Sequence, residues 1–187
     1  MNVLLIDNGT FHLRALQHRL SNHVVVTVKY RSMTERQISD ADMIILSGGH
    51  TRIIGHFWYF KKELELIRTT ALPIIGICLG HELIARAFNA KPVRLARKIR
   101  GIRTIDVMKI EGISTNNLDV FEAHAYAIKS LPDGFTALAH SPSGIEVMVS
   151  KTRPIYGLQF HPEVVQPPND GLEIFDAILK QIEQRSS

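Results

Sequence analysis

One residue in this chain has the chemistry of a strong nucleophile, the single cysteine Cys78, in the segment Ile74-Ile75-Gly76-Ile77-Cys78-Leu79-Gly80-His81-Glu82. The apolar run before it has the character of a buried strand, and the residues after it open a helical pattern. The thiol therefore falls on a strand-to-helix turn, where Gly76 and Gly80 are small enough to allow a sharp bend. A helix N-terminus offers positive potential and free N–H groups, which suit a negatively charged sulfur and an oxyanion beside it. In open α/β sheets, ligands also bind beyond the carboxyl ends of the strands, where this turn must sit. Taken alone, the cysteine reads equally well as a small apolar residue packed under a helix.

A base changes that balance. Pro154-Ile155-Tyr156-Gly157-Leu158-Gln159-Phe160-His161-Pro162-Glu163 is a second strand running into a polar cluster. A thiol that opens an amide needs a group to take its proton and return it to the leaving amine, and imidazole titrates in the useful range. His161 fits that role. Glu163, two residues on and across the stiff Pro162, can fix the tautomer of His161 and stabilise its charged form. A His-Pro-Glu sequence without Cys78 would read as a surface turn.

Gly76-Ile77-Cys78-Leu79-Gly80-His81, taken with Gln159-Phe160-His161-Pro162-Glu163, resembles the two signature motifs of class I glutamine amidotransferases. The resemblance runs from Leu5-Ile6-Asp7-Asn8-Gly9 through Leu46-Ser47-Gly48-Gly49 to the final helix, and within the family it is strongest to the free-standing glutaminase subunit of archaeal-type GMP synthases. It implies that Cys78 forms a γ-glutamyl thioester, with His161 as acid and base and Glu163 as its partner. It further implies an oxyanion hole from the backbone N–H groups of Gly49 and Leu79, and substrate contacts at Gly48 and Glu82. The substrate would be glutamine or a related γ-glutamyl amide. The ammonia would pass to a separate ATP-dependent synthetase subunit that converts XMP to GMP. ATP and magnesium would belong to that partner, leaving this chain without a cofactor.

Three positions depart from the family pattern. Glu82 stands where the family has glutamine, which puts a carboxylate one helical turn from Cys78. It could pair with a substrate ammonium, oppose a thiolate, or simply sit on the helix dipole. His50 replaces a proline that would stiffen the Ser47-Gly48-Gly49 turn. Ala123-His124-Ala125-Tyr126-Ala127 replaces Ser-His-x-Asp-Glu, removing two acidic positions. These changes leave open a free-standing hydrolase acting on another γ-glutamyl amide or peptide, and a non-catalytic regulatory subunit of the same fold.

The elements that must carry these residues follow from periodicity. Val3–Ile6, Val24–Val28, Met43–Leu46 and Ile74–Ile77 read as strands, with helices over Phe11–Leu20, Ile53–Arg68 and Leu79–Phe88. Alternating strands and helices predict a doubly wound α/β domain, a mostly parallel sheet with helices on both faces. Candidate strands at Arg103–Lys109, Val120–Ala123, Phe135–Ala139, Ile145–Val149 and Ile155–Leu158 are expected as antiparallel additions, and Gly171–Gln184 as an amphipathic closing helix.

The 187 residues suit one domain, 1–187, and at 45% apolar and 21% charged residues the chain belongs with folded globular proteins. A net charge of +4 without a basic tail argues against a nucleic-acid partner, and the densest basic stretch, Arg94–Arg103, reads as a solvated hairpin or loop face. No run is long enough to span a membrane, Met1–Asp7 lacks a secretory signal pattern, and a lone cysteine suits a reducing compartment, so a cytoplasmic location is expected. His12, His18, His23, His56 and His140 show no metal-type spacing, and no metal is expected. The aromatic run Phe57-Trp58-Tyr59-Phe60 is expected to be helix packing.

Overall fold

The computed structural model describes residues 1–50 and 57–186. Nine strands form one sheet in the order β2-β1-β3-β4-β9-β8-β7-β5-β6. The parallel part comprises β1 (Asn2–Asp7), β2 (Val24–Lys29), β3 (Met43–Leu46), β4 (Ile74–Ile77) and β9 (Ile155–Leu158). Every residue of β3, β4 and β9 is buried, so their sequences are unbroken apolar runs. The edge strand β2 leaves Val24 and Val26 open to solvent.

Alternate residues of these strands feed two separate cores. Val3 and Leu5 of β1 and Met43 and Ile45 of β3 face the layer that contains α1 (Leu13–Arg19) and α5 (Gly171–Ser186), through Leu16, Phe175 and Ile178. Leu4, Ile6, Ile44 and Leu46 face the opposite layer, where α3 (Lys61–Thr69) and α4 (Leu79–Ala87) supply Leu64, Ile67, Leu83 and Ile84. A short helix α2 (Glu35–Ser39) had no apolar period to reveal it, since none of its residues is buried. Its signal is the capping box of Thr34 and Gln37.

The second half is antiparallel at β5 (Pro92–Val107), β6 (Asn117–Ile128), β7 (Phe135–Ser141) and β8 (Gly144–Ser150). The expectation for Ile155–Leu158 is corrected: β9 inserts between β4 and β8, running parallel to the first and antiparallel to the second. Its fully buried apolar run is the signature of a central strand, not of an added edge. The basic stretch Arg94–Arg103 is also strand, the outward-facing part of β5 in a long hairpin with β6. Mostly exposed on both sides, it lacks the alternation that marks a strand in sequence.

The helix expected over Ile53–Arg68 is shorter in its described part, a 3-10 turn at Phe57–Phe60 followed by α3; Ile53–His56 lie outside the described residues. Within the aromatic run Phe60 packs inward, 5.1 Å from the Tyr30 ring, whereas Trp58 is 64% exposed and Arg31 lies 4.3 Å over Tyr59. Helix packing therefore accounts for Phe60 and not for Trp58. Among the described residues no helix is long and apolar enough to cross a membrane.

β3, β4 and α4 meet through glycines. A Cβ on Gly80 would lie 2.5 Å from the Leu46 carbonyl oxygen, and one on Gly76 would lie 2.6 Å from the Gly80 carbonyl. Gly80→Ala should therefore cost about 1–3 kcal/mol or more, because backbone and not a side-chain tip must move. Urea denaturation of the variant against the parent measures it, and a loss below about 0.5 kcal/mol would contradict this close approach.

Candidate active site

Cys78 caps α4 with φ 50° and ψ −100°, a conformation that a non-glycine residue adopts only when its surroundings impose it. Those surroundings are specific. Its N–H donates to the Leu158 carbonyl at 2.7 Å, across the β4–β9 pairing, and its carbonyl accepts from the Glu82 N–H at 3.0 Å to start the helix. The side chain is thus turned out of the strand direction into a cleft of about 440 Å³.

His161 enters the same cleft from the end of β9. Its N–H donates to the Phe121 carbonyl of β6 at 2.8 Å, and its ring Nδ1 lies 2.9 Å from Glu163 Oε1. Glu163 is fully buried and His161 nearly so. With Nδ1 donating to Glu163, the opposite ring nitrogen is left for the Cys78 sulfur. Burial alone would lower the His161 pKa. The charge and hydrogen bond of the Cys78 sulfur, together with Glu163, outweigh it and push the ring up to about 10.

The loop after β3 closes the other side. Ser47 Oγ accepts from the Asn8 N–H at 2.9 Å and donates to the Gly48 carbonyl at 2.8 Å, while Asn8 Nδ2 donates to the Ser47 carbonyl at 3.2 Å. A Cβ on Gly48 would stand 2.9 Å from His161 Cε1 and 3.6 Å from Cys78 Cβ, and one on Gly49 would collide with the Asn8 carbonyl oxygen. Backbone can approach the reacting centre here because there is no side chain. Gly49 and Leu79 both line the cleft beside Cys78. His50, in the place of the stiffening proline, stacks on the Phe11 ring at 5.0 Å.

Glu82 also lines the cleft and is 4% exposed. Burial pushes its carboxyl up to about 8, with the neighbouring Gln159 side chain working against that shift. Near neutral pH Glu82 is an uncharged acid that can donate a hydrogen bond, as an amide would. Arg94, Lys98 and Arg100 of β5, and Tyr126 of β6, complete the rim.

Sequence reasoning missed three contributors. His12 meets the His161 ring edge-on at 5.5 Å, and burial and the His161 charge lower its pKa. Asn169 donates from Nδ2 to the His161 and Val164 carbonyls at 3.1 and 2.8 Å and accepts from the Phe121 N–H at 3.2 Å, tying the Glu163 turn to β6. Only its place shortly before the α5 helix hinted at it. The third is a buried group of Glu122, His124 and Glu146, whose ligand-capable atoms lie within 4.8 Å of one another. The histidine spacings considered for a metal did not include His124, and Glu146 comes from a different strand.

A model of the family "Glutamine amidotransferase class-I" matches residues 4–181. The chain belongs to the class I glutamine amidotransferases. Among relatives within this family, a subunit of the glutamine-hydrolysing GMP synthase of Thermococcus kodakarensis is 39% identical over 181 residues, covering 92% of this chain and 94% of the relative. The corresponding subunit of Methanocaldococcus jannaschii is 33% identical over 171 residues, covering 87% and 88%. A crystal structure from Thermoplasma acidophilum, described as that of a GMP synthase subunit, superposes with a TM-score of 0.88 at 28% identity, covering 99% of this chain and 95% of the other. For this amidotransferase the departure at Glu82 carries a measurable signature. The folded chain keeps a proton on Glu82 up to about pH 8, whereas an unfolded chain loses it near the ordinary value of 4.5. Stability must therefore fall as pH rises through that window. Glu82→Gln should remove the Glu82 share of that fall while Glu63 and Glu146 keep theirs, shifting the change in stability between pH 5 and pH 8.5 in the variant's favour by on the order of a few kcal/mol. Urea unfolding of both proteins at pH 5 and pH 8.5 tests it, and an unchanged difference between the two pH values would refute it.

Proposed function

We propose that this chain is the glutaminase subunit of a two-subunit GMP synthase. The observation that carries the reading is His161 held between the Cys78 sulfur and the buried Glu163. In the proposed reaction the sulfur attacks the γ-carbonyl of glutamine, and the N–H groups of Gly49 and Leu79 face the oxygen that becomes negative. His161 gives its proton to the departing ammonia, leaving a thioester on Cys78. The same ring then takes a proton from water, which attacks the thioester and releases glutamate. Glu163 keeps the ring in the tautomer that serves both steps.

The uncharged Glu82 supports glutamine as substrate, since it offers the donor that an amide would offer at that position. The names of the relatives support GMP synthesis as the destination of the ammonia, with the ATP-dependent amination on a separate subunit. A second reading, hydrolysis of another γ-glutamyl amide by the chain alone, draws on Arg94, Lys98 and Arg100 at the rim, which could accept a longer, anionic leaving group.

Ammonia release from glutamine, measured with and without an ATP-dependent XMP-aminating subunit, separates the two. The first reading expects release from glutamine that rises when the partner is added; turnover of a γ-glutamyl peptide with none of glutamine would replace it by the second. Cys78→Ala should lower turnover by roughly 10³-fold or more under either. Glu163→Gln should reduce kcat by a comparable order while leaving KM within a few-fold, because it misorients the base and does not touch the substrate.

A further inference from the structure

At the β6 wall of the cleft His124, part of its lining, meets Glu122 of the same strand and Glu146 of β8 behind it, and all three are at most 3% exposed. Their hydrogen bonds fix where protons must be. His124 Nδ1 lies 2.7 Å from the Tyr126 carbonyl oxygen, which can only accept, so Nδ1 carries a hydrogen. His124 Nε2 lies 2.8 Å from Glu122 Oε2. A bare ring nitrogen and a carboxylate oxygen would repel at that distance, so a second proton stands between them. Glu146 Oε1 accepts from Ser141 Oγ at 2.6 Å and Ser143 Oγ at 3.0 Å.

Glu122 Oε1 and Glu146 Oε2 remain, both buried and neither with a donor. Two carboxylates and one imidazolium would leave a net negative charge out of reach of solvent, which is costly. Burial and then the Glu122 charge push Glu146 up to about 7. A proton on Glu146 therefore neutralises the group. The other titratable group beside this cluster, His81 of α4, is pushed down to about 3 by burial and stays neutral.

We propose that Glu122 and Glu146 are positioning residues for the amidase reaction: Glu122 holds the His124 ring directly, Glu146 is anchored by Ser141 and Ser143 beside that pair, and together they fix the Tyr126 carbonyl and the Ala123–Tyr126 wall that faces Cys78. Glu146 reaches the opposite wall too. Its carbonyl accepts from the Gln159 N–H at 2.8 Å, and the Gln159 side chain lies against Glu82. The two carboxyl groups thus brace both sides of the space where the substrate's amino-acid end must fit while standing outside its lining, to which His124 belongs.

This inference rests on the glutaminase reading. Glu146→Gln should raise KM for glutamine about tenfold with kcat within about threefold, and should flatten any change of KM around pH 7. Ser143→Ala, which removes one donor to Glu146 from near the surface, should move KM in the same direction by about twofold and keeps the question answerable if the glutamine variant does not fold. Nitrogen-15 spectra of the histidine rings, assigned with His124→Gln, should show His124 carrying a hydrogen at Nδ1. A fall in kcat without a rise in KM, unchanged kinetics in folded variants, or a His124 ring protonated at Nε2 alone would overturn the proposal. A divalent metal retained one per chain after purification without chelator would overturn it as well. If the wild-type chain releases no ammonia from glutamine, the functional reading falls while the ring spectra still test the lock.

Discussion

The pairing of β4 with β9 is the constraint on which the site depends. Those strands come from distant parts of the sequence, yet their register sets Gly76 against Gly157 and Ile77 against Leu158. Cys78 then donates its N–H to Leu158, and the chain beyond Leu158 runs directly to His161. A one-residue slip would turn every side chain of β9 to the other face and move the imidazole away from the sulfur. The glycines at 76, 80 and 157 follow from the same requirement, since close packing of β3, β4, β9 and α4 leaves no room there for a Cβ.

Burial by itself does not decide what a histidine does here. His81 and His161 are equally withdrawn from water. His81 lies among apolar groups and the backbone of β8 and β9, and its pKa falls to about 3. His161 has Glu163 on one nitrogen and the Cys78 sulfur near the other, and its pKa rises to about 10. Desolvation acts on both rings in the same sense, and the partners determine the outcome. Glu82 shows the converse for an acid, because with only an amide beside it the carboxyl keeps its proton near neutral pH.

The readable parts of the sequence were those in which a local pattern coincided with a tertiary requirement. The runs Met43–Leu46, Ile74–Ile77 and Ile155–Leu158 are apolar throughout because both faces of the sheet are covered, and their limits agree with β3, β4 and β9. Cys78, His161 and Glu163 were legible because two short motifs carry them, and the structure brings the three together. Strand direction was legible for β1 to β8 and not for β9. Nothing within Ile155–Leu158 says which neighbours it will pair with; the short hairpin turn from β8 sets it antiparallel to that strand, and its insertion beside β4 makes it parallel there. The protonation of Glu82 was hidden for a similar reason, since a first-turn glutamate is exposed by default and this one is covered by residues far away in the chain. Asn169, His12 and the Glu122, His124 and Glu146 cluster act through contacts between separate elements, which local periodicity does not record.

Cys78 is the only sulfhydryl among these 187 residues. An enzyme with a second thiol nearby can set aside an oxidised nucleophile as an internal disulfide and recover it by exchange. This chain has no such reserve of its own. A sulfenic acid formed at Cys78 must meet a thiol from outside before it proceeds to the irreversible sulfinic and sulfonic forms. The narrow cleft that shelters the sulfur from water thus also sets the rate at which an external reductant can reach it, and ties the lifetime of the nucleophile to the redox poise of its surroundings.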